Sequence, residues 1–236
     1  MRAMCGRFVL ATDEHGIDFL EEALLDNDLP SVPNYNICPT DRIRILTSED
    51  GQRRLRSMRW GLIPRWAKSE TDGPLLINAR AETVAEKPAF RDAVRRRRAL
   101  VPASGFYEWT VGGDGKRDPW YIRPRGGGLM MLAALWQDWA PPGGDTVPTC
   151  AIVTTAAGND TKGLHHRTPV IVAPGDWPLW LGEAGHGAAP LMRAAPDGTL
   201  EHWRVGRAVN SNRASGPGLI EPVGERAAAG ADPSGE

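Results

Sequence analysis

Glycine and proline punctuate this chain throughout. With 27 glycines and 20 prolines in 236 residues, about one position in five interrupts regular structure. Proline fixes φ and removes a backbone donor, and glycine weakens the interior of a helix or strand. The stretches between these breaks are short, and most of them read as strands.

Taken in order, residues 5–10 begin a strand at Phe8, Val9 and Leu10. Thr12 then caps a helix of roughly 13–25, on which Ile17, Leu20 and Leu24 recur at helical spacing. Residues 35–40 read as a loop, because the residue before Pro39 is pushed to extended geometry. Residues 43–47 and 54–60 form a hairpin across Asp50-Gly51. A short buried strand covers 75–78, and a helix covers 88–96 with Phe90 and Val94 inward. Residues 100–102 and 105–109 read as the next strand pair. Further strands follow at 120–123, 129–136 and 149–155, and the continuous apolar runs of the last two suit central positions. The chain closes with a strand at 170–172, a short helix at 176–181 and a strand at 203–209. From about Gly224 it becomes an Ala/Gly/Pro-rich tail expected to be disordered. No helix–strand alternation or phosphate-binding glycine motif occurs. The fold class is therefore α+β: one mainly antiparallel, barrel-like sheet with a few peripheral helices.

A net charge of −1 supplies no global field that would draw the chain to nucleic acid, so such binding must come from a local patch. Cys5, Cys38 and Cys150 are far apart and lack metal-ligand spacing, which points to a reducing, cytoplasmic setting with neither disulfides nor a bound metal. No apolar run reaches the length of a membrane span, and the first residues carry no secretory signal.

The chemistry concentrates at Met4-Cys5-Gly6-Arg7. If the mature chain begins at Cys5, that residue carries a thiol beside a free α-amine, whose reference pKa of roughly 7.7–8.0 leaves a fraction nucleophilic at neutral pH. A 1,2-aminothiol can condense with an aldehyde to an imine, which the thiol then closes to a thiazolidine. The alternative is a buried cysteine packed as a small hydrophobe. Trp60 and Trp66, beside Arg65 and Lys68, read either as a stacking surface for bases or as core anchors. Glu108, between Tyr107 and Trp109, is either a desolvated proton-transfer group or the outward residue of an alternating strand. Arg95-Arg96-Arg97-Arg98 is a solvated face or a phosphate contact. His165-His166 are poor joint metal ligands on one strand, because their side chains are expected to point to opposite faces, so one catalytic histidine and one spectator are expected.

Cys-Gly-Arg-Phe, Tyr-Asn-Ile-Cys-Pro, Trp-Gly-Leu-Ile-Pro, Asn-Ala-Arg-Ala-Glu-Thr, Gly-Phe-Tyr-Glu-Trp and His-His-Arg-Thr-Pro occur in that order. Together they resemble the SRAP family, the SOS response-associated peptidase-like proteins, over residues 4 to about 223. The resemblance implies the SRAP fold and a DNA–protein crosslink formed between the N-terminal cysteine and abasic sites in single-stranded DNA. This is a lyase-type activity, and autopeptidase action could expose the cysteine. It implies Cys5 as nucleophile, Asn78 orienting the amine or the sugar, Glu108 shuttling protons and His165 assisting imine chemistry. It places Arg7, Arg80 and Arg167 on flanking phosphates. Trp60, Pro64 and Trp66 would form the surface on which the strand bends, lined by Asn36 and Pro39. No cofactor is implied. Residues 1–4 are expected to be a leader or an upstream start, 5–223 one domain, and 224–236 the tail. The protein is expected to act as a cytoplasmic monomer, associated with the nucleoid when bound to DNA.

Overall fold

The structure is a computed structural model and describes residues 6–11 and 23–224. The strands are β1 (Phe8–Leu10), β2 (Leu24–Leu25), β3 (Asn34–Ile37), β4 (Arg42–Glu49), β5 (Gln52–Trp60), β6 (Asn78–Arg80), β7 (Arg98–Ala103), β8 (Gly105–Val111), β9 (Arg117–Pro124), β10 (Met130–Trp139), β11 (Val147–Ala156), β12 (Arg167–Pro169) and β13 (Leu200–Arg204). Among the described residues two short α-helices, α1 (Arg91–Arg96) and α2 (Trp177–Leu181), accompany them.

The strands form two sheets. The first runs β13-β9-β8-β1-β3 and the second β12-β11-β10-β7-β4-β5-β2, with β6 also on β11. Pairing is antiparallel except for β2 on β5 and for β5 and β6 on β11. The parallel pairs Thr149–Arg59 and Cys150–Trp60 bring β5 back against β11, so the larger sheet curls in a barrel-like way.

The apolar runs of β10 and β11 have a direct explanation. Successive side chains on a strand point to opposite faces. Met131, Ala133, Leu135, Ala151 and Val153 face one core, which α1 and α2 cover through Ala93, Trp177 and Trp180. Met130, Leu132, Ala134, Cys150 and Ile152 face a second core, shared with Phe8, Phe106 and Ile122 of the smaller sheet. A strand buried on both faces reads as continuously hydrophobic. A third core lies on the outer face of the smaller sheet, where Val9, Tyr107, Tyr121 and Trp203 meet Val209 and Leu219.

The hairpin of β4 and β5 closes at Asp50 and Gly51, both with positive φ (52° and 79°), as a two-residue primed turn requires. Several expectations are corrected. There are two sheets, not one. The segments 100–102 and 105–109 do not pair with each other: β7 pairs with β10 and β4, whereas β8 pairs with β1 and β9. Tyr35 and Asn36, expected in a loop, lie in β3, because β1 supplies the ladder partners. The strand expected at 75–78 is displaced to β6, leaving Leu75 exposed. The strand expected at 170–172 is displaced to β12, which ends at Pro169, leaving Ile171 in an isolated bridge to Leu132, and the last strand ends at Arg204 and gives way to a 3-10 turn at Arg207–Asn210. Most of the helix expected at 13–25 lies outside the described residues, and Leu24 and Leu25 are strand. The 1–4 leader and the tail beyond Gly224 also lie outside them.

Trp60 is the other correction. It is fully buried, its indole N–H donates to the Ile77 carbonyl at 3.0 Å, and its ring meets Phe8 edge-on at 5.2 Å. It therefore anchors the core between the sheets and has no free face for stacking. Trp60→Ala is expected to lower stability by about 3–5 kcal/mol, the usual cost of truncating a buried tryptophan, read as a reduced midpoint in urea denaturation.

Candidate active site

The parallel register between β6 and β11 orients the first site residue. Asn78 pairs with Ile152, and residues paired across a ladder share a face. Ile152 belongs to the core between the sheets, so Asn78 points into the inter-sheet gap, while Ala79 faces the helix-covered core. Arg80, two residues on, shares the face of Asn78 and is exposed.

From the opposite sheet, Phe106 packs into the same gap, and Glu108 follows it on the same face of β8. Glu108 is 3% exposed, which removes the reading of it as an outward residue of an alternating strand. His165 faces it from the loop before β12, with Nδ1 3.9 Å from Glu108 Oε1. That separation is longer than a hydrogen bond and short enough for one to form with small movement or through a bound group. His165 Nδ1 lies 3.1 Å from the Arg167 backbone N–H, which donates to it when Nδ1 is bare, and 3.3 Å from the Arg167 carbonyl, which accepts from it when Nδ1 carries the proton.

The loop carrying His165 is fixed by Arg167. This buried guanidinium donates to both carboxylate oxygens of Glu82, at 2.6 and 2.9 Å, and to the Thr154 carbonyl at 2.6 Å. Thr154 pairs with Arg80 on one edge of β11 and with Pro169 on the other, so one residue joins both halves of the site. The Arg167 hydrogen bond holds the Glu82 carboxyl below its ordinary value of 4.5. Glu82 lies inside the Asn-Ala-Arg-Ala-Glu-Thr motif, but only the fold reveals its partner. His166 is exposed, and its ring centroid lies 4.3 Å from that of His165 at a 38° tilt, so the two side chains are neighbours and the expectation that they point to opposite faces is corrected. The pKa of His166 is lowered, by desolvation first and then by its neighbours His165, Arg167 and Arg80.

Arg7 is also turned inward. It donates to Asn36 Oδ1 at 2.6 Å, the Val209 carbonyl at 2.9 Å and Asn212 Oδ1 at 2.5 Å. Asn36 is buried and donates to the Ser211 and Ala214 carbonyls. Of the three arginines expected on phosphates, Arg80 alone is exposed; Arg7 and Arg167 bond within the fold. Pro39 and Pro64 are half-buried, and Trp66 stands out at 62% exposure next to exposed Arg65. Sequence reasoning gave no role to Trp109, which lies between Arg7 at 5.8 Å and Arg117 at 4.8 Å and donates to Asn210. With Val111, Lys162, Leu164, His165 and His166 it lines a cavity of about 460 Å³ beside the Glu108–His165 pair.

Cys5 lies outside the described residues. The segment following it enters next to Glu108: the Tyr107 N–H donates to the Arg7 carbonyl at 3.0 Å, and Phe8 pairs with Phe106. Cys38 and Cys150 are buried thiols, and burial pushes both pKa values up, which makes them poor nucleophiles. Among the described residues no cluster of three His, Cys, Asp or Glu side chains could hold a metal ion.

Comparison with known proteins adds the following. The sequence matches the family described as SOS response associated peptidase (SRAP) over residues 4–212. It is 35% identical over 224 residues to the abasic site processing protein YoqW of Bacillus subtilis, covering 92% of this chain and 99% of that protein. It is 31% identical over 229 residues to the abasic site processing protein YedK of Escherichia coli, covering 93% and 100%. A solved structure of a protein from Bacteroides thetaiotaomicron superposes with a TM-score of 0.80 at 23% identity, covering 93% of this chain and 100% of that one, a likeness of fold.

The depressed Glu82 carboxyl gives a pH test. A lowered carboxylate pKa contributes stability above the unfolded value, and that stability is lost as pH falls through the folded one. The melting temperature of the native protein is expected to exceed that of Glu82→Gln at pH 7. The gap should close as pH falls below 4.5. A gap that persists in acid would assign the stabilisation to something other than the ion pair.

Proposed function

The chain belongs to the SOS response associated peptidase (SRAP) family, and we propose that it processes abasic sites in single-stranded DNA by forming a covalent bond from Cys5. The observation that carries this reading is the Glu108–His165 pair, buried at the mouth of the inter-sheet gap where the N-terminal segment enters. Support also comes from relatives named for abasic-site processing across more than nine-tenths of this chain.

The chemistry requires no redox partner. The ring-opened abasic sugar presents a C1′ aldehyde. The Cys5 α-amine adds to that carbon to give a carbinolamine, with the amine proton taken up by a nearby base. Loss of one water, with the departing hydroxyl protonated by an acid, leaves an imine. The thiol then adds to the imine carbon and its proton moves to nitrogen, closing the thiazolidine. Glu108 is suited to the proton transfers, being buried and facing the gap. His165 can donate to the departing oxygen from Nε2 when that nitrogen carries the proton. Asn78 faces the same gap and is placed to orient the amine or the sugar hydroxyls. Arg80 supplies an exposed positive charge for a flanking phosphate, and Trp66 with Pro64 a surface on which the strand turns. The buried Arg7 and Arg167 act by holding Asn36 and the His165 loop, and they reach a phosphate only by exchanging a present partner for it.

A free amine at Cys5 requires hydrolysis of the Met4–Cys5 peptide bond, by removal of residues 1–4 or by a start at Met4 followed by loss of that methionine, and the family match begins at Met4. Thiol-dependent cleavage ahead of Cys5 is the second reading, favoured by a histidine and a carboxylate arranged as base and orienting group. In either case the protein works as a cytoplasmic monomer. No helix among the described residues is long and apolar enough to cross a membrane.

Intact mass spectrometry after incubation with an abasic single-stranded oligonucleotide tests the proposal. A protein beginning at Cys5 should gain the oligonucleotide mass less one water, in a heat-stable adduct. Cys5→Ala should form none, and acetylation of the α-amine should abolish the adduct while sparing a simple thiol peptidase. A protein that crosslinks with Met1 intact would sink the mechanism. Glu108→Gln is expected to slow crosslinking by about 10²–10⁴, the usual range for loss of a general acid–base group, in single-turnover gel assays.

A further inference from the structure

On the helix-covered side, away from the inter-sheet gap, a cavity of about 490 Å³ opens between α1 and the segment after α2. Its floor is apolar: Val94, Trp180, Ala188 and Met192 all pack in the helix-covered core. Its rim carries Arg95, Arg96, Arg98 and His186, and no acidic residue lines it. Among the described residues none of these three arginines forms an ion pair, although ion pairs join many of the chain's other arginines. Arg98 is fixed in place. Its guanidinium donates to the Val94 and Arg95 carbonyls, at 3.0 and 3.1 Å, and to the Trp180 carbonyl. Burial lowers its pKa, as expected for a cation partly removed from water without a counter-ion.

We propose that this cavity docks an acidic peptide through one apolar anchor residue, with carboxylates meeting Arg95, Arg96 and Arg98. The size suits a concave site, which lies within the usual range of roughly 300–1,000 Å³. The preset Arg98 lowers the ordering cost of binding. A carboxylate there supplies the counter-charge that the fold omits. Single-stranded nucleic acid fits less well. Trp180, the aromatic in the floor, is fully buried with its N–H donated to the Ala99 carbonyl, so it offers no ring face for a base to stack on. The site is separate from the Glu108–His165 pair, and the inference does not rest on the crosslinking proposal. Its effect would be to tether the protein to a partner bearing an acidic segment while the inter-sheet gap stays open.

Fluorescence anisotropy with a fluorescein-labelled Glu-Asp-Glu-Leu-Phe peptide and the full chain tests this. Saturable binding is expected at about 50 mM salt, weakening as salt rises. Replacing Leu-Phe with Gly-Gly in the probe, or making the exposed pair Arg95→Glu and Arg96→Glu, should each weaken binding by about tenfold or more. Ala189→Trp, which fills the cavity, should abolish it. Crosslinking to abasic DNA should be unchanged in these variants, and if one fails to fold, His186→Glu at the exposed rim replaces it. Equal affinity for the Gly-Gly probe would reduce the surface to unspecific charge and overturn the proposal. Displacement of the peptide by an undamaged single-stranded oligonucleotide, with oligonucleotide binding lost in the arginine variants, would make the face a nucleic-acid surface and overturn it as well.

Discussion

Strand β11 is the constraint on which the rest of the structure depends. Its Thr154 is paired on both edges, to Arg80 in parallel and to Pro169 in antiparallel register. Earlier residues of the same strand hold β10 and close the curl of the larger sheet onto β5. A strand so engaged has little freedom to slip, because a shift of one residue would exchange the side chains of its two buried faces. The residues it presents at its carboxyl end, Asn78 and Arg80 from one neighbour and the His165–Arg167 segment from the other, inherit that rigidity.

Buried polar networks do the rest of the positioning. Arg167 ties Glu82 to Thr154, and Arg7 ties Asn36 to the C-terminal segment through Val209 and Asn212. A buried guanidinium is costly unless its N–H groups are matched, and each of these two meets at least three acceptors, with the Arg167 Nε left without a partner among the described residues. The Arg7 network links the first described residues to some of the last, across 205 positions. It holds the entry of the N-terminal segment against β8, next to Glu108.

Local chemistry was legible wherever neighbours in sequence are neighbours in space. Asp50-Gly51 announced its hairpin because only residues tolerant of positive φ close a two-residue turn there. The runs at 129–136 and 149–155 announced central strands because burial on both faces favours apolar side chains on successive positions, as in Cys150–Val153. Glu108 between aromatics was marked as unusual, and it is buried. The resemblance put Trp60 on the strand-bending surface while its local pattern fitted surface and core equally, since an indole beside glycine and proline carries no sign of which side it faces. The partner of Glu82 and the inward turn of Arg7 left no mark in local patterning, because they depend on contacts 85 and up to 205 residues away.

The amino-acid sequence by itself determined the strand-rich class, the hairpin, the central strands and, through six ordered motifs, the family. These follow from backbone geometry, side-chain period and residue chemistry, which act within a few positions. The tertiary structure decided that β7 and β8 part into different sheets and that Glu108 meets His165 across the gap. It also decided which arginine remains exposed. These outcomes depend on register and on competition for buried hydrogen-bond partners between distant segments, and both are settled only when the two sheets close on a common core.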